Sequence, residues 1–307
     1  MIAKTIAFVR KNGFVLSLAA AFLLCDAAVA AWDPMAHSLR FEKDDFTKTL
    51  MHHQWDRSGP VFFGNSAVTG AYMEDRARVP LVEMGMAYGK ITDLEQILRR
   101  GLYRPEGQLV IGIDVHTMLD RMQTDPRFPW ARPWYQPYLY YYRDYFKDAI
   151  GEWARNAWAA ARQGKIDFHT YTPRWTDKEL YFGRESPEQL KKDWERYERN
   201  YNWMTVDDCQ NNIEALQWVI GYAAKRGLSL KVVWMPLNPD PAYPQPPYWK
   251  PLKARVNALL EANGVPTLDL SDAFPPEHFH DLVHLNRETG APAFTKELDE
   301  WLLSFAK

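Results

Sequence analysis

Apolar residues in this chain fall into short continuous blocks separated by longer stretches with helical spacing. The first block, Pro60-Val61-Phe62-Phe63, runs into Gly64-Asn65-Ser66, which predicts a buried strand ending in a tight turn. Val79 to Met86, closed by Gly89, is a second strand candidate. Thr92 to Gly101 follows as a helix, with Thr92 or Asp93 as N-cap, apolar positions at Leu94, Ile97 and Leu98, and Gly101 as the stop. Leu109 to Asp114 is a continuous apolar strand, and continuity rather than alternation predicts burial on both faces, as in a parallel sheet. A helix over Asn211 to Arg226, stopped by Gly227, leads into a strand over Ser229 to Met235 that Pro236 ends. Leu252 to Asn263 reads as a helix, Val265 to Leu270 as the last strand and Thr295 to Phe305 as the closing helix. Strands alternating with helices in this order predict one three-layer α/β domain with a mostly parallel sheet.

The rhythm breaks between Asp114 and Leu228. Phe128 to Trp158 is crowded with rings, among them Trp130, Trp134, Tyr135, Tyr138, Tyr140, Tyr145, Phe146, Trp153 and Trp158, and ends in a predicted helix. Pro187 to Tyr201 is charged and helical and reads as a solvated face. No repeat or low-complexity linker separates these stretches, so residues 115–210 are expected to be an aromatic-rich helical insertion in a single domain covering 32–307. Ring packing is the ordinary reason for such density, and a glycan or partner surface is the functional alternative.

Residues 1–31 form a separate segment. Lys4, Arg10 and Lys11 precede the uncharged run Phe14 to Leu24, the order of an export signal, and Ala28-Val29-Ala30 has the small-x-small pattern of a cleavage site. Apolar character resumes from Ala27 to Trp32, so residues 12–32 also fit an uncleaved anchor with Trp32 at the interface. Either reading puts the rest of the chain in the periplasm or on the outer face of the inner membrane.

Composition narrows the chemistry. In 307 residues, 37 basic and 39 acidic side chains leave a net charge of -2, without the positive field that gathers nucleic-acid phosphates. The two cysteines, Cys25 and Cys209, do not suggest a structural disulfide. Phosphate-binding glycine loops of the P-loop or dinucleotide type are absent, and no cofactor is implied.

Two short motifs remain. Ser66 follows directly on the first strand, where the carboxyl ends of parallel strands line a ligand crevice. Asp281-Leu282-Val283-His284 lies between the last strand and the closing helix. A serine hydroxyl becomes a nucleophile when an imidazole takes its proton, and the imidazole needs a carboxylate to fix its tautomer. Ser66, His284 and Asp281 would supply those roles. Each motif alone is also ordinary turn or loop chemistry. A metal site drawn from His278, His280, Asp281 and His284 is disfavoured, because it would leave Ser66 without a base.

Taken together, a serine after the first strand and Asp281-Leu282-Val283-His284-Leu285-Asn286 before the final helix, with Gly290 and Phe294-Thr295 following, resemble the SGNH/GDSL hydrolase superfamily. The similarity is greatest to its envelope acylation branch, the DltD-like and alginate O-acetylation-like proteins. The resemblance covers the chain from about Pro60 onward, apart from the insertion. It implies a flavodoxin-like sheet and a serine-dependent O-acyltransferase or esterase. The substrates would be a cell-envelope or secreted polysaccharide and an acyl donor, with a membrane-bound O-acyltransferase as possible partner. The alternative is an assembly subunit that keeps the fold without the chemistry. The resemblance further implies an oxyanion hole from the Ser66 amide, Gly89 and the position of Asp114. Here the chain departs from the pattern: Asp114 stands where an Asn is expected, and a carboxylate cannot donate unless protonated. Asn65 replaces the usual Asp before the serine and can still order the turn.

Overall fold

The computed structural model describes residues 2–32, 45–121, 136–163 and 180–305. The chain divides into two compact units, one from Met1–Glu42 with Arg127–Thr172, the other from Lys43–Pro126 with Pro173–Lys307.

In the larger unit, α2 (Asp45–His52) precedes β1 (Ser58–Asn65), α3 (Ser66–Ala71), β2 (Val82–Met86), α4 (Ile91–Arg99), β3 (Arg104–Ile113) and the single turn α5 (Val115–Met118). The first unit then contributes α6 (Tyr138–Tyr141) and α7 (Arg143–Gln163), while α1 (Ile2–Trp32) belongs to it from the N-terminal side. The larger unit resumes with α8 (Pro187–Asn200), α9 (Gln210–Arg226), β4 (Ser229–Trp234), α10 (Trp249–Ala262), β5 (Thr267–Asp269) and α11 (Gly290–Leu303).

The five strands form one sheet in the order β2-β1-β3-β4-β5, and every pairing is parallel. Parallel strands need crossover helices, and the apolar blocks supply strands that can be covered on both sides. Val61, Phe62 and Phe63 of β1 and Leu109, Val110 and Ile111 of β3 are all buried, as continuous rather than alternating hydrophobicity requires. Phe62 stacks on Phe294 of α11 at 6.2 Å and meets Tyr72 edge-on at 5.5 Å. Burying a side chain of this size stabilises by roughly 2–3 kcal/mol, so this cluster fixes the closing helix against the first strand. Hydrogen bonds complete the attachment: Thr295 Oγ1 accepts from Met73 N, and the buried Asp299 carboxylate accepts from Arg78 N and Val79 N.

The 2-1-3-4-5 order places the reversal of strand order between β1 and β3, where a crevice opens at their carboxyl ends. Glycines let the layers approach there. A Cβ on Gly112 would come within 2.6 Å of Val68 and 2.8 Å of the Met235 sulfur, and one on Gly64 would also strike Val68. The short helix α3 therefore lies close against the switch point.

The elements follow the pattern of the sequence, with shifted ends. The helix expected at Thr92 begins at Ile91, and Asp93 caps it from inside the first turn by accepting from Lys90 N at 2.9 Å. Gly227 ends α9 at φ 66°, a left-handed cap that glycine adopts without Cβ strain. The last strand is shorter than its apolar run, Thr267–Asp269, and the final helix starts earlier, at Gly290.

In the smaller unit, α1 is kinked at Asn12. Its segment Lys11–Trp32, 22 residues with a mean hydropathy of 2.2, is long and apolar enough to cross a membrane. The Asp26 carboxylate accepts from Leu139 N at 2.9 Å, and Trp32 stacks on Phe146 at 6.4 Å. The middle of the expected insertion thus groups with the N-terminal segment. Trp130, Trp134 and Tyr135 lie outside the described residues; Tyr140, Trp153 and Trp158 are exposed.

Candidate active site

Ser66 is the first residue of α3, directly after the last residue of β1. Asn65 sets that transition: its extended backbone ends the strand, and its Oδ1 accepts from Ala67 N at 2.8 Å. The Asn65 side-chain amide donates to both carboxylate oxygens of Asp114, each at 2.9 Å. Asp114 is itself the cap of α5 and accepts from Thr117 N at 2.8 Å and Thr117 Oγ1 at 2.7 Å. The ends of β1 and β3 are thereby tied together just beneath the serine.

The Asp-x-x-His loop reaches the same rim. An antiparallel bridge between Phe279 and Leu285, with His280 N donating to His284 O at 2.8 Å, pinches it into a tight reversal. Asn238, beyond β4, donates its side-chain amide to Asp281 O and its backbone N–H to Leu282 O. Within the reversal, Asp281 Oδ1 accepts from the backbone amides of Val283 at 2.8 Å and His284 at 2.7 Å. Its Oδ2 lies 2.6 Å from His284 Nδ1, and His284 Nε2 lies 2.8 Å from Ser66 Oγ.

This is a continuous hydrogen-bonded chain of carboxylate, imidazole and hydroxyl. Burial opposes ionisation of Asp281, but the neighbouring imidazole and three N–H donors outweigh it and hold the carboxyl at a pKa of about 2. An ionised Asp281 keeps the proton on Nδ1, which leaves Nε2 to accept from Ser66.

The triad opens into a pocket of about 160 Å³, lined among others by Tyr88, His116, Tyr181, Tyr197 and Tyr201. Tyr181 lies flat on His284, ring centroids 3.9 Å apart and planes 9° apart. Its hydroxyl is held in the protonated form, chiefly by burial and secondly by the Asp281 charge. Tyr88 and Tyr181 have positive φ, 56° and 66°, a conformation that costs a bulky residue free energy and clusters at functional sites. His116 contacts Tyr197 and Tyr201 at 5.1 and 5.3 Å, and burial pushes its pKa down, so it is a neutral imidazole.

The sequence matches no protein-family model and no curated protein. The geometry alone therefore carries the reading of the site.

The structure brings Ser66, His284 and Asp281 together and puts Asn65 and Asp114 beneath them. Gly89 is different. Its N–H donates to Met86 O at 2.8 Å within a turn, so that amide is committed to the backbone. A Cβ there would approach Gly64 O to 2.8 Å, so its lack of a side chain serves close packing. Asp114 likewise has its carboxylate occupied by Asn65 and Thr117 and is a structural anchor, not an oxyanion donor. Pro187 to Tyr201, read as a solvated face, is solvated on one side only, since Tyr197 and Tyr201 turn into the pocket. Spacing held a clue: Leu190 and Tyr197 share one face of α8, and Tyr201 follows directly as its C-cap. Tyr181 carried no local signal.

Proposed function

We propose that this chain is an extracytoplasmic serine-dependent O-acyltransferase or esterase acting on acyl, chiefly acetyl, groups of a cell-envelope polysaccharide. The observation that carries the reading is the Ser66–His284–Asp281 chain, with hydrogen-bond distances of 2.8 and 2.6 Å, at the switch point of a parallel sheet. In this reading Ser66 Oγ attacks the carbonyl carbon of an acyl ester while its proton passes to His284 Nε2. The protonated imidazole then gives that proton to the departing alkoxide, leaving the acyl group on Ser66. A sugar hydroxyl or water, deprotonated by His284, attacks the acyl-enzyme and frees the serine. Asp281 holds the ring and balances its transient charge. The SGNH-like pattern supplies the polymer substrate, and the membrane-length helix α1 supports placement at the outer face of a membrane.

A second reading is favoured by one observation: the Gly89 amide and the Asp114 side chain are both engaged away from an oxyanion. In it the chain is a non-catalytic subunit that docks a membrane O-acyltransferase or binds glycan. A serine-directed fluorophosphonate separates the two. Covalent labelling of Ser66, lost in Ser66→Ala and reduced in His284→Ala, is expected of the enzyme; a folded chain that takes no label is the scaffold.

A further inference from the structure

The catalytic imidazole has a cover that no step above uses. Tyr181 lies parallel to the His284 ring at 3.9 Å and meets His280 edge-on at 5.7 Å. Its main chain is pinned, because Arg287 N donates to Tyr181 O at 3.0 Å while Arg287 Nη1 donates to Thr69 O at 2.7 Å, in the helix that begins with Ser66. Beneath both rings is Gly70, where even a methyl group would stand 3.2 Å from the Tyr181 ring and 3.3 Å from His284 Cβ. A bulky residue kept at φ 66° under these restraints is held in place by its surroundings, and what it is held against is the general base.

An acyl-enzyme is consumed by whichever hydroxyl reaches it with a base at hand. Transfer joins an acceptor oxygen to the acyl carbon, passes the acceptor proton to His284 Nε2, breaks the bond to Ser66 Oγ and returns the proton to Oγ. Hydrolysis follows the same path with water and yields a free acid. Water at tens of molar wins unless it is kept from the imidazole.

We propose that Tyr181 is a fixed cover over His284 that restricts water at the acylated Ser66 and so favours transfer to a docked hydroxyl over hydrolysis. The proposal rests on the acyl-transfer reading of the site. The stack leaves a pocket of about 160 Å³ as the way in, on the order of five waters in volume, enough for an acetyl group and the edge of an acceptor.

The test uses the full chain with p-nitrophenyl acetate as donor and glycerol as acceptor, comparing acetylated glycerol with free acetate. Tyr181→Asn removes the ring yet tolerates positive φ, and Tyr181→Gly is the companion variant that also relieves the backbone. Both are expected to raise the acetate share severalfold, while Tyr181→Phe, which keeps the ring, stays at the wild-type ratio. An unchanged ratio in the Asn and Gly variants overturns the proposal. So does a Phe variant that leaks as much as Asn, or a wild type that only hydrolyses. Fluorophosphonate labelling of Ser66 in the wild type keeps the two levels apart. With labelling and an unchanged ratio only the role of Tyr181 falls; without labelling the acyl-transfer reading falls and takes this role with it.

Discussion

Asn65 and Asp114 form a matched pair in which the amide donates to both carboxylate oxygens at 2.9 Å. Both are buried, and the pair joins the cap of the serine's helix to the cap of the next strand's helix. The identities are complementary, so replacing one residue alone sets like groups against each other.

Asn65→Asp would place a second carboxylate against Asp114. A loss of about 2–4 kcal/mol in urea unfolding is expected, with a matching loss of fluorophosphonate labelling. Asn65→Asp combined with Asp114→Asn restores an amide-to-carboxylate pair and leaves oxygen acceptors for Ala67 N and Thr117 N. That double variant should recover more than half of the lost stability; additive losses would show that the two positions are not coupled.

Asp281 makes stability depend on acid. Its folded pKa of about 2 lies below the ordinary 3.8, so the stabilisation is complete above pH 4 and disappears as pH falls toward 2. The term is about 2 kcal/mol at neutral pH. Urea unfolding at pH 5, 4 and 3 should show the decline, and Asp281→Asn should flatten it. The same variant should lower turnover by about a thousandfold or more, since an amide cannot hold the tautomer.

Gly70→Ala separates geometry from stability. Alanine gains about 1 kcal/mol of helix propensity, while contacts of 3.2 and 3.3 Å with Tyr181 and His284 cost a similar amount. The melting temperature should therefore move little. If His284 is the general base of the proposed reaction, displacing it by a few tenths of an ångström should still lower turnover about tenfold. Equal effects on both measurements would contradict this account.

The acceptor contact between Asp26 and Leu139 N would be lost if the chain were cut after Ala30. With α1 also long enough to span a bilayer, the intact chain is expected in the membrane fraction, released by detergent and not by salt. A chain beginning at Ala31 should be soluble. A native protein whose mass begins at Ala31 would contradict an anchor.

Much of the fold was legible because burial on both faces leaves a local trace. Phe62-Phe63 and Leu109 to Ile113 read as strands of a covered parallel sheet, and they are buried strands of one; Gly227 marked a helix end through its left-handed backbone. Serine and histidine were legible by position, one at a strand end and one in the last loop. The rest of the site was not. The Gly89 amide looked free because nothing local shows that Met86 O receives it. Asp114 looked like a misplaced donor because its value depends on Asn65, 49 residues away. Tyr181 and Tyr197 enter the pocket through tertiary packing of the long segment between β3 and α9. The charged spacing of α8 hid its inward face, because a few apolar or aromatic positions in an otherwise charged helix are a weak periodic signal.

The serine and its imidazole are separated by 218 positions, one directly after the first strand and the other in the final connection of the sheet. Every contiguous fragment that holds both also spans β2 to β5, and the bond between them depends on those strands being assembled into the sheet. Reactivity at the serine is thus a readout of complete assembly: during refolding it should appear last, after helical signal and apolar burial have returned.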